Sequence, residues 1–100
     1  PDVVFYCFFG FIGMNAHINL RYFASIREAL NLSEETLPLS DALTTVGDVR
    51  DALLVRGEPY SVVLSRQKAV RIALNHSMCD ESTSLTDGCE VAFFPPVTGG

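Results

Sequence analysis

The stretch EVAFFPPVTGG, residues 90–100, is the most informative part of this sequence for the fold. Residues 91–94 are apolar and mostly β-prone, which predicts a strand over 90–94 whose successive side chains point to opposite faces of a sheet. Pro95 and Pro96 follow at once. Because proline has no backbone N–H and holds φ at about −65°, the sheet must stop there and the chain continues stiff and extended.

Beyond the prolines, the side chains become smaller, from Val97 and Thr98 to Gly99 and Gly100. Without a Cβ, a glycine pair fits a channel too narrow for other residues, and the reactive group at its tip is the Gly100 carboxylate. An extended chain covers roughly 3.3–3.6 Å per residue, so residues 95–100 reach about 20 Å into a partner. The order of residues predicts a flexible, inserting tail; the competing interpretation is a frayed terminus.

The best helix signal is Thr45-Val46-Gly47-Asp48, which has the form of a capping box. An apolar stripe follows it, and Gly57 and Pro59 end the pattern, so a helix is predicted over residues 46–56. The stripe consists of Val46, Val49, Ala52 and Leu53.

Residues 17–22 alternate apolar and polar, which predicts a half-buried strand with Phe23 directed to the opposite side from its apolar face. The weaker predicted elements are a short helix at 25–30, a loop and short strand within 31–42, strands at 60–65 and 69–75, and a turn at Asp87-Gly88. One main helix packed on one face of a mixed sheet of four to five strands is an α+β fold.

The chain of 100 residues is long enough for one domain, and its formal net charge is −5. Since nucleic-acid binding needs clustered Lys and Arg, and this chain has a single lysine and dispersed arginines, DNA and RNA are not expected partners. Three cysteines, Cys7, Cys79 and Cys89, show no metal-ligand spacing, so we expect reduced thiols, no metal site and a cytoplasmic location.

Residues 1–13, PDVVFYCFFGFIG, are almost wholly apolar but shorter than the roughly 20 residues that span a bilayer. They lack the basic start and cleavage site of a signal peptide. We therefore expect a non-native or extension segment at 1–13, a domain at 14–100 and no membrane association; an extra strand or an arm that docks on a partner is the alternative.

Residues 90–100, together with the preceding turn LTDG at 85–88, resemble the carboxyl-terminal signature of the small subunit of molybdopterin synthase. Tyr22-Phe23-Ala24 and Arg27-Glu28 are similar to the family's first strand and helix start. The resemblance covers residues 17–100 in outline and implies a ubiquitin-like β-grasp sulfur carrier. It departs from the family at Cys89, where an acidic residue is frequent, and in the long 31–42 connection.

The resemblance implies that an adenylating, E1-like enzyme uses ATP to activate the Gly100 carboxylate, which a sulfur donor protein converts to a thiocarboxylate. Gly99 and Gly100 would then enter the large catalytic subunit of a heterotetrameric synthase and deliver sulfur to cyclic pyranopterin monophosphate. The chain has no phosphate-binding motif or acid/base pair, so it is not expected to be catalytic alone or to bind a cofactor. The implied partner-binding residues are Phe23, Met78, Phe94, Pro95, Pro96, Val97 and Thr98.

Three other hypotheses remain open at this point. A related β-grasp carrier could serve thiamine or tRNA thiolation, although the Phe-Phe-Pro-Pro run argues against it. A ubiquitin-like modifier would instead link Gly100 to a target lysine. An inert domain with an accidental tail would lose nothing on removal of Gly100.

Overall fold

A computed structural model describes residues 16–96, which form one five-stranded mixed sheet with helices on one face. The predicted α+β class is confirmed, and five is the upper number of strands expected. The elements in chain order are β1 His17–Tyr22, α1 Ala24–Leu30, β2 Glu34–Pro38, α2 Val46–Leu54, α3 Tyr60–Val63, β3 Arg71–Leu74, β4 Ser77–Cys79 and β5 Glu90–Phe94.

The sheet has the order β2-β1-β5-β3-β4, so the first and last strands lie side by side at its centre. β1 and β5 run parallel, with Leu20 opposite Val91 and Tyr22 opposite Phe93, whereas every other pair is antiparallel. The side chains of these four residues point to the same face and are buried against the helices. The core consists of Ile18, Leu20, Tyr22, Ile26, Val46, Val49, Leu53, Leu64, Ile72, Cys89, Val91 and Phe93.

Helix α2 supplies the main layer over this face, and its start is the predicted capping box. The Thr45 hydroxyl accepts a hydrogen bond from the Asp48 amide, and the Asp48 carboxylate accepts one from the Thr45 amide. Hydrogen bonds from the amide and hydroxyl of Thr44, and then from the Thr45 amide, hold the pKa of Asp48 below its usual range. The next two amides, of Val46 and Gly47, donate to the carbonyls of Thr83 and Glu81, so the loop before β5 closes the helix start.

The strand predicted over residues 60–65 is wrong, because Tyr60–Val63 forms the short helix α3. The valines favour a strand by propensity. The carbonyls that follow them, however, accept hydrogen bonds from the buried Arg50 of α2. Arg50 is 4% exposed. Its guanidinium donates from Nε to Leu64 O at 2.7 Å and from Nη2 to Ser65 O at 2.7 Å. The amides of Val63 and Leu64 donate to Pro59 O and Tyr60 O, which is helical pairing, and the carbonyls of Leu64 and Ser65 beyond the helix bind the arginine.

Strand β4 was not predicted, and it is a three-residue edge strand with a weak pattern. It pairs with β3 through a two-residue turn in which Asn75 and His76 both have positive φ, at 49° and 73°. That is the conformation of a type I′ hairpin, usually marked by Asn-Gly rather than Asn-His. The predicted strand at 69–75 exists but is confined to Arg71–Leu74.

The other boundaries agree closely with the sequence. Helix α2 ends at Leu54, slightly before the predicted end, and Gly57 follows with φ +85°. Strand β2, Glu34–Pro38, lies within the 31–42 connection, where a loop and a short strand were predicted. The interpretation of residues 1–13 lies outside the described residues. No helix within residues 16–96 has the length and apolarity to cross a membrane.

Replacing Arg50 with methionine should destabilise the protein by about 2–4 kcal/mol, because buried carbonyls and the Glu81 carboxylate would lose a charged donor. Urea unfolding followed by circular dichroism measures the change. The matched control is Arg56→Met: Arg56 is partly exposed and bonds one carboxylate, that of Glu35, so its loss should cost about 1 kcal/mol or less. Equal costs for the two substitutions would contradict this role of Arg50.

The Glu81 carboxylate should contribute stability that is lost in acid. Hydrogen bonds from Arg66, and the charge of Arg50, hold the pKa of Glu81 below its usual range. A depressed folded pKa means that the contribution is complete above the unfolded value of about 4.3 and disappears as pH falls below it. In Glu81→Gln the loss in free energy of unfolding should therefore be largest near neutrality and shrink towards pH 3.

The control for this pH series is Glu28→Gln, since Glu28 is exposed and forms no ion pair within residues 16–96. Urea unfolding at each pH gives the two differences from the wild-type protein. A deficit for Glu81→Gln that stays constant from pH 7 to pH 3 would show that the carboxylate is not the source of the effect.

Candidate functional site

The face of the sheet opposite the helices carries the candidate site. The strand register places one residue from each of four strands in a row across this outer face: Arg21, Ala92, Ala73 and Met78. The two alanines are each 5% exposed, whereas Met78 is 55% exposed. The small central side chains leave the middle of the face low between larger flanking groups, which suits it to receive projections from another molecule.

Phe23 and Phe94 lie together at the end of the outer face from which the tail continues. Phe23 follows β1 with extended backbone, and its amide donates to Phe93 O at 3.2 Å, which fixes it beside the end of β5. The two rings stack with centroids 4.7 Å apart and planes 7° apart. Both residues are half-buried, so the sequence prediction that they point away from the core is confirmed.

Met78 is not a core residue beneath a loop; it projects from β4 onto the outer face beside Phe94. A cavity of about 300 Å³ is lined by Arg71, Met78, Phe94 and Pro95. The lining is apolar except for the arginine at its rim. The structure thus brings together three of the predicted partner-binding residues, Phe94, Met78 and Pro95, and places Phe23 against the first of them.

Two arginines of this site were missed by sequence reasoning. Arg71 lines the cavity, and the Cζ atom of Arg21 lies 5.4 Å from the centroid of the Phe23 ring, within cation–π distance. Alternation along each strand could have identified them: Arg21 lies between inward Leu20 and Tyr22, and Arg71 immediately precedes buried Ile72. The dispersed arginines of the sequence gave no sign that two would meet on one face.

The prolines end the sheet where the sequence predicts. Strand β5 ends at Phe94, and Pro95 and Pro96 are half-buried residues without strand pairing. The chain therefore leaves the sheet directly beside the aromatic pair. Val97, Thr98, Gly99 and Gly100 lie outside the described residues, so their predicted roles stay predictions at this point.

Nothing in the described part of the chain assembles a metal-binding cluster of side chains. Residues 16–96 contain no group of three or more His, Cys, Asp or Glu side chains arranged to hold a metal. Cys89 is 2% exposed within the core, and burial raises the pKa of the half-buried Cys79 thiol, which disfavours its reactive thiolate form. The side chains that the site does present are apolar contacts bordered by arginines, which is the composition of a binding surface.

Sequence comparison places this chain in a known family. The ThiS family model matches residues 20–100. The molybdopterin synthase sulfur carrier subunit of Haemophilus influenzae is 32% identical over 83 residues, covering 83% of this chain and 99% of that protein. The protein of the same name from Escherichia coli is 35% identical over 83 residues, with the same two coverages.

Structural comparison gives the same fold. Small archaeal modifier protein 1 from Haloferax volcanii superposes with a TM-score of 0.66 at 27% identity, covering 83% of this chain and all of that one. The sheet is thus that of the ubiquitin-like β-grasp proteins, as the resemblance at residues 85–100 implied. With the family match extending over four fifths of its length and through the Gly-Gly pair, this chain belongs to the ThiS family.

Proposed function

We propose that this chain is the sulfur carrier subunit of molybdopterin synthase. The single observation that carries the proposal is the position of the exposed outer face: Phe94 is both the last residue of β5 and a wall of the apolar cavity, and Pro95 continues from that wall. A partner that binds this face receives the tail at the same place. The relatives of this name match over almost their whole length, which supports the assignment.

The proposed reagent is the Gly100 carboxylate, because a carboxylate needs activation before it can accept sulfur. Transfer of AMP from ATP to this carboxylate releases pyrophosphate and gives an acyl-adenylate. A persulfide on a donor protein then displaces AMP and forms an acyl disulfide with Gly100. A second thiol attacks the donor's sulfur in that bond, which releases the thiocarboxylate on Gly100 and leaves a disulfide. That sulfur is delivered to cyclic pyranopterin monophosphate, and water restores the carboxylate for another cycle.

The adenylation and transfer steps are assigned to partners, since this chain contributes a surface and a tail. The proposed partners are an adenylating E1-like enzyme that supplies ATP chemistry, a sulfur donor protein, and the large catalytic subunit. Phe23, Met78 and Phe94 supply apolar docking contacts, of the kind that dominate protein interfaces. Gly99 and Gly100 supply the slender end, with Val97 and Thr98 behind it.

Incubation with ATP, the adenylating enzyme and a sulfur donor should raise the mass of the intact chain by one oxygen-to-sulfur exchange. Tandem mass spectrometry should locate that change at Gly100. The variant Gly99→Val should acquire little or none, because a branched side chain next to the terminal residue blocks a channel shaped for glycine. Circular dichroism verifies that the variant is folded.

The matched control for the tail is Val97→Ala, which changes bulk two residues further from the tip and should still be thiocarboxylated. The proposal would be contradicted if the wild-type protein remained unmodified while the same enzyme and donor modified a known carrier. Equal modification of wild-type and Gly99→Val would instead show that the channel argument is wrong.

Truncation of Met78 should weaken binding to the large subunit, because its exposed side chain lines the cavity beside Phe94. We expect Met78→Ala to lower the affinity about fivefold or more, equal to about 1 kcal/mol, by calorimetric titration. Val55→Ala is the matched control, since Val55 is 83% exposed but follows α2 on the helical side of the sheet. Its affinity should equal that of the wild-type protein, and a similar loss in both variants would contradict docking on the outer face.

Protein modification is a second candidate function, favoured by the structural likeness to small archaeal modifier protein 1. In that case Gly100 would form an amide with a lysine of a target, with loss of water in the overall balance. The same mass spectrometry separates the two functions. A Gly100 thiocarboxylate without conjugates supports the carrier, whereas lysine-linked adducts in place of the thiocarboxylate support the modifier.

A further inference from the structure

The outer face carries an arginine whose charge is unbalanced within the described part of the molecule. Arg71 is exposed, and no carboxylate of residues 16–96 lies within ion-pair distance of it. Arg50, Arg56 and Arg66 each bond at least one carboxylate and support the fold. In a chain with 12 acidic side chains and net charge −5, an arginine left unpaired beside an apolar cavity requires an explanation.

Arg21 provides the internal comparison, because it lies on the same face but is already partly neutralised. Its guanidinium lies 4.0 Å from Glu34 and 3.8 Å from Glu90, and it stacks over Phe23. Among residues 16–96, Arg71 has neither a carboxylate within ion-pair distance nor an aromatic ring within cation–π distance. Instead it borders the cavity with Met78 and Phe94, where a docked partner would remove water from both apolar and charged groups.

We propose that Arg71 is a specificity-determining residue that selects a partner presenting a carboxylate beside an apolar side chain. This inference rests on the proposed function, with the large subunit as that partner. The apolar side chain enters the cavity against Met78 and Phe94, and the carboxylate meets the guanidinium at the rim. The planar, permanently charged guanidinium can bind a carboxylate through two parallel hydrogen bonds, which fixes the orientation of the docked surface as well as its identity.

The net charge of the whole chain further restricts which partners can bind this face. A partner with a strongly acidic surface would be repelled by a net charge of −5, so the carboxylate must be local and set within a neutral or basic surface. Of the residues that line the cavity, Arg71 carries the positive charge, so a carboxylate bound beside it is stabilised. A wrong partner that places an apolar or basic group there leaves the guanidinium desolvated without a bond, which is costly.

The test compares Arg71→Gln with Lys68→Gln, which make the same change in net charge. Lys68 is exposed, lies three residues before Arg71 and does not line the cavity. At low ionic strength, Arg71→Gln should lower the affinity for the large subunit about tenfold, whereas Lys68→Gln should change it less than about twofold. At about 1 M salt the difference between the two variants should narrow but persist, because an ion pair from which the partner has removed water is screened much less than an exposed one.

A third variant, Arg71→Lys, separates charge from geometry: it should restore part of the affinity lost in Arg71→Gln but not all of it. Equal affinities of Arg71→Gln and Lys68→Gln at low salt would overturn the inference, because the effect would then be one of net charge. Thiocarboxylation measured on the same proteins distinguishes failure of the inference about Arg71 from failure of the proposed function. If the wild-type chain neither binds the large subunit nor acquires sulfur, the proposed function fails and this inference fails with it.

Discussion

The parallel pairing of β1 with β5 is the constraint on which the rest of the structure depends. It sets Leu20 opposite Val91 and Tyr22 opposite Phe93, so the helices find a continuous apolar face to cover. The same register brings Phe23 beside Phe94 on the other face, where the rings stack 4.7 Å apart. Because side chains alternate along a strand, a slip of one residue would turn the core outward and separate the aromatic pair.

Most of this arrangement could be predicted from local patterns. The alternation of residues 17–22, the capping box at Thr45 and the two prolines after Phe94 each predict an element that the structure contains. What could not be predicted depends on contacts between distant residues. The chain just after helix α3 is held by the buried Arg50, whose partners, the carbonyls of Leu64 and Ser65, lie 14 and 15 residues further along the chain. Strand β4 is too short to have a pattern of its own.

The candidate site shows the same division. The outward position of Phe23 was predicted from the alternation along its own strand, and Phe94 and Met78 were named as partner-binding residues by the family resemblance. Arg71 joins them only because β3 pairs with β5 in a register that sets it opposite Phe94. Sequence alone states which side of its own strand a residue occupies. Which residues of other strands become its neighbours is decided by the sheet order, in which β5 separates β1 from β3.

The two faces of the five-residue strand β5 therefore have different roles: one face packs in the core, and the other forms part of the docking surface. Val91 and Phe93 are fully buried among the helices, so a change in either one disturbs the core. Ala92 and Phe94 face the outer surface, where Ala92 keeps the centre low and Phe94 forms a wall of the cavity. Substitutions on the outer face can alter which partner docks while the helical face keeps β5, and with it the start of the tail, in a fixed position. For the proposed carrier, with an adenylating enzyme and a large subunit as partners, this independence would let the recognition surface change without loss of the fold that holds Pro95 in place.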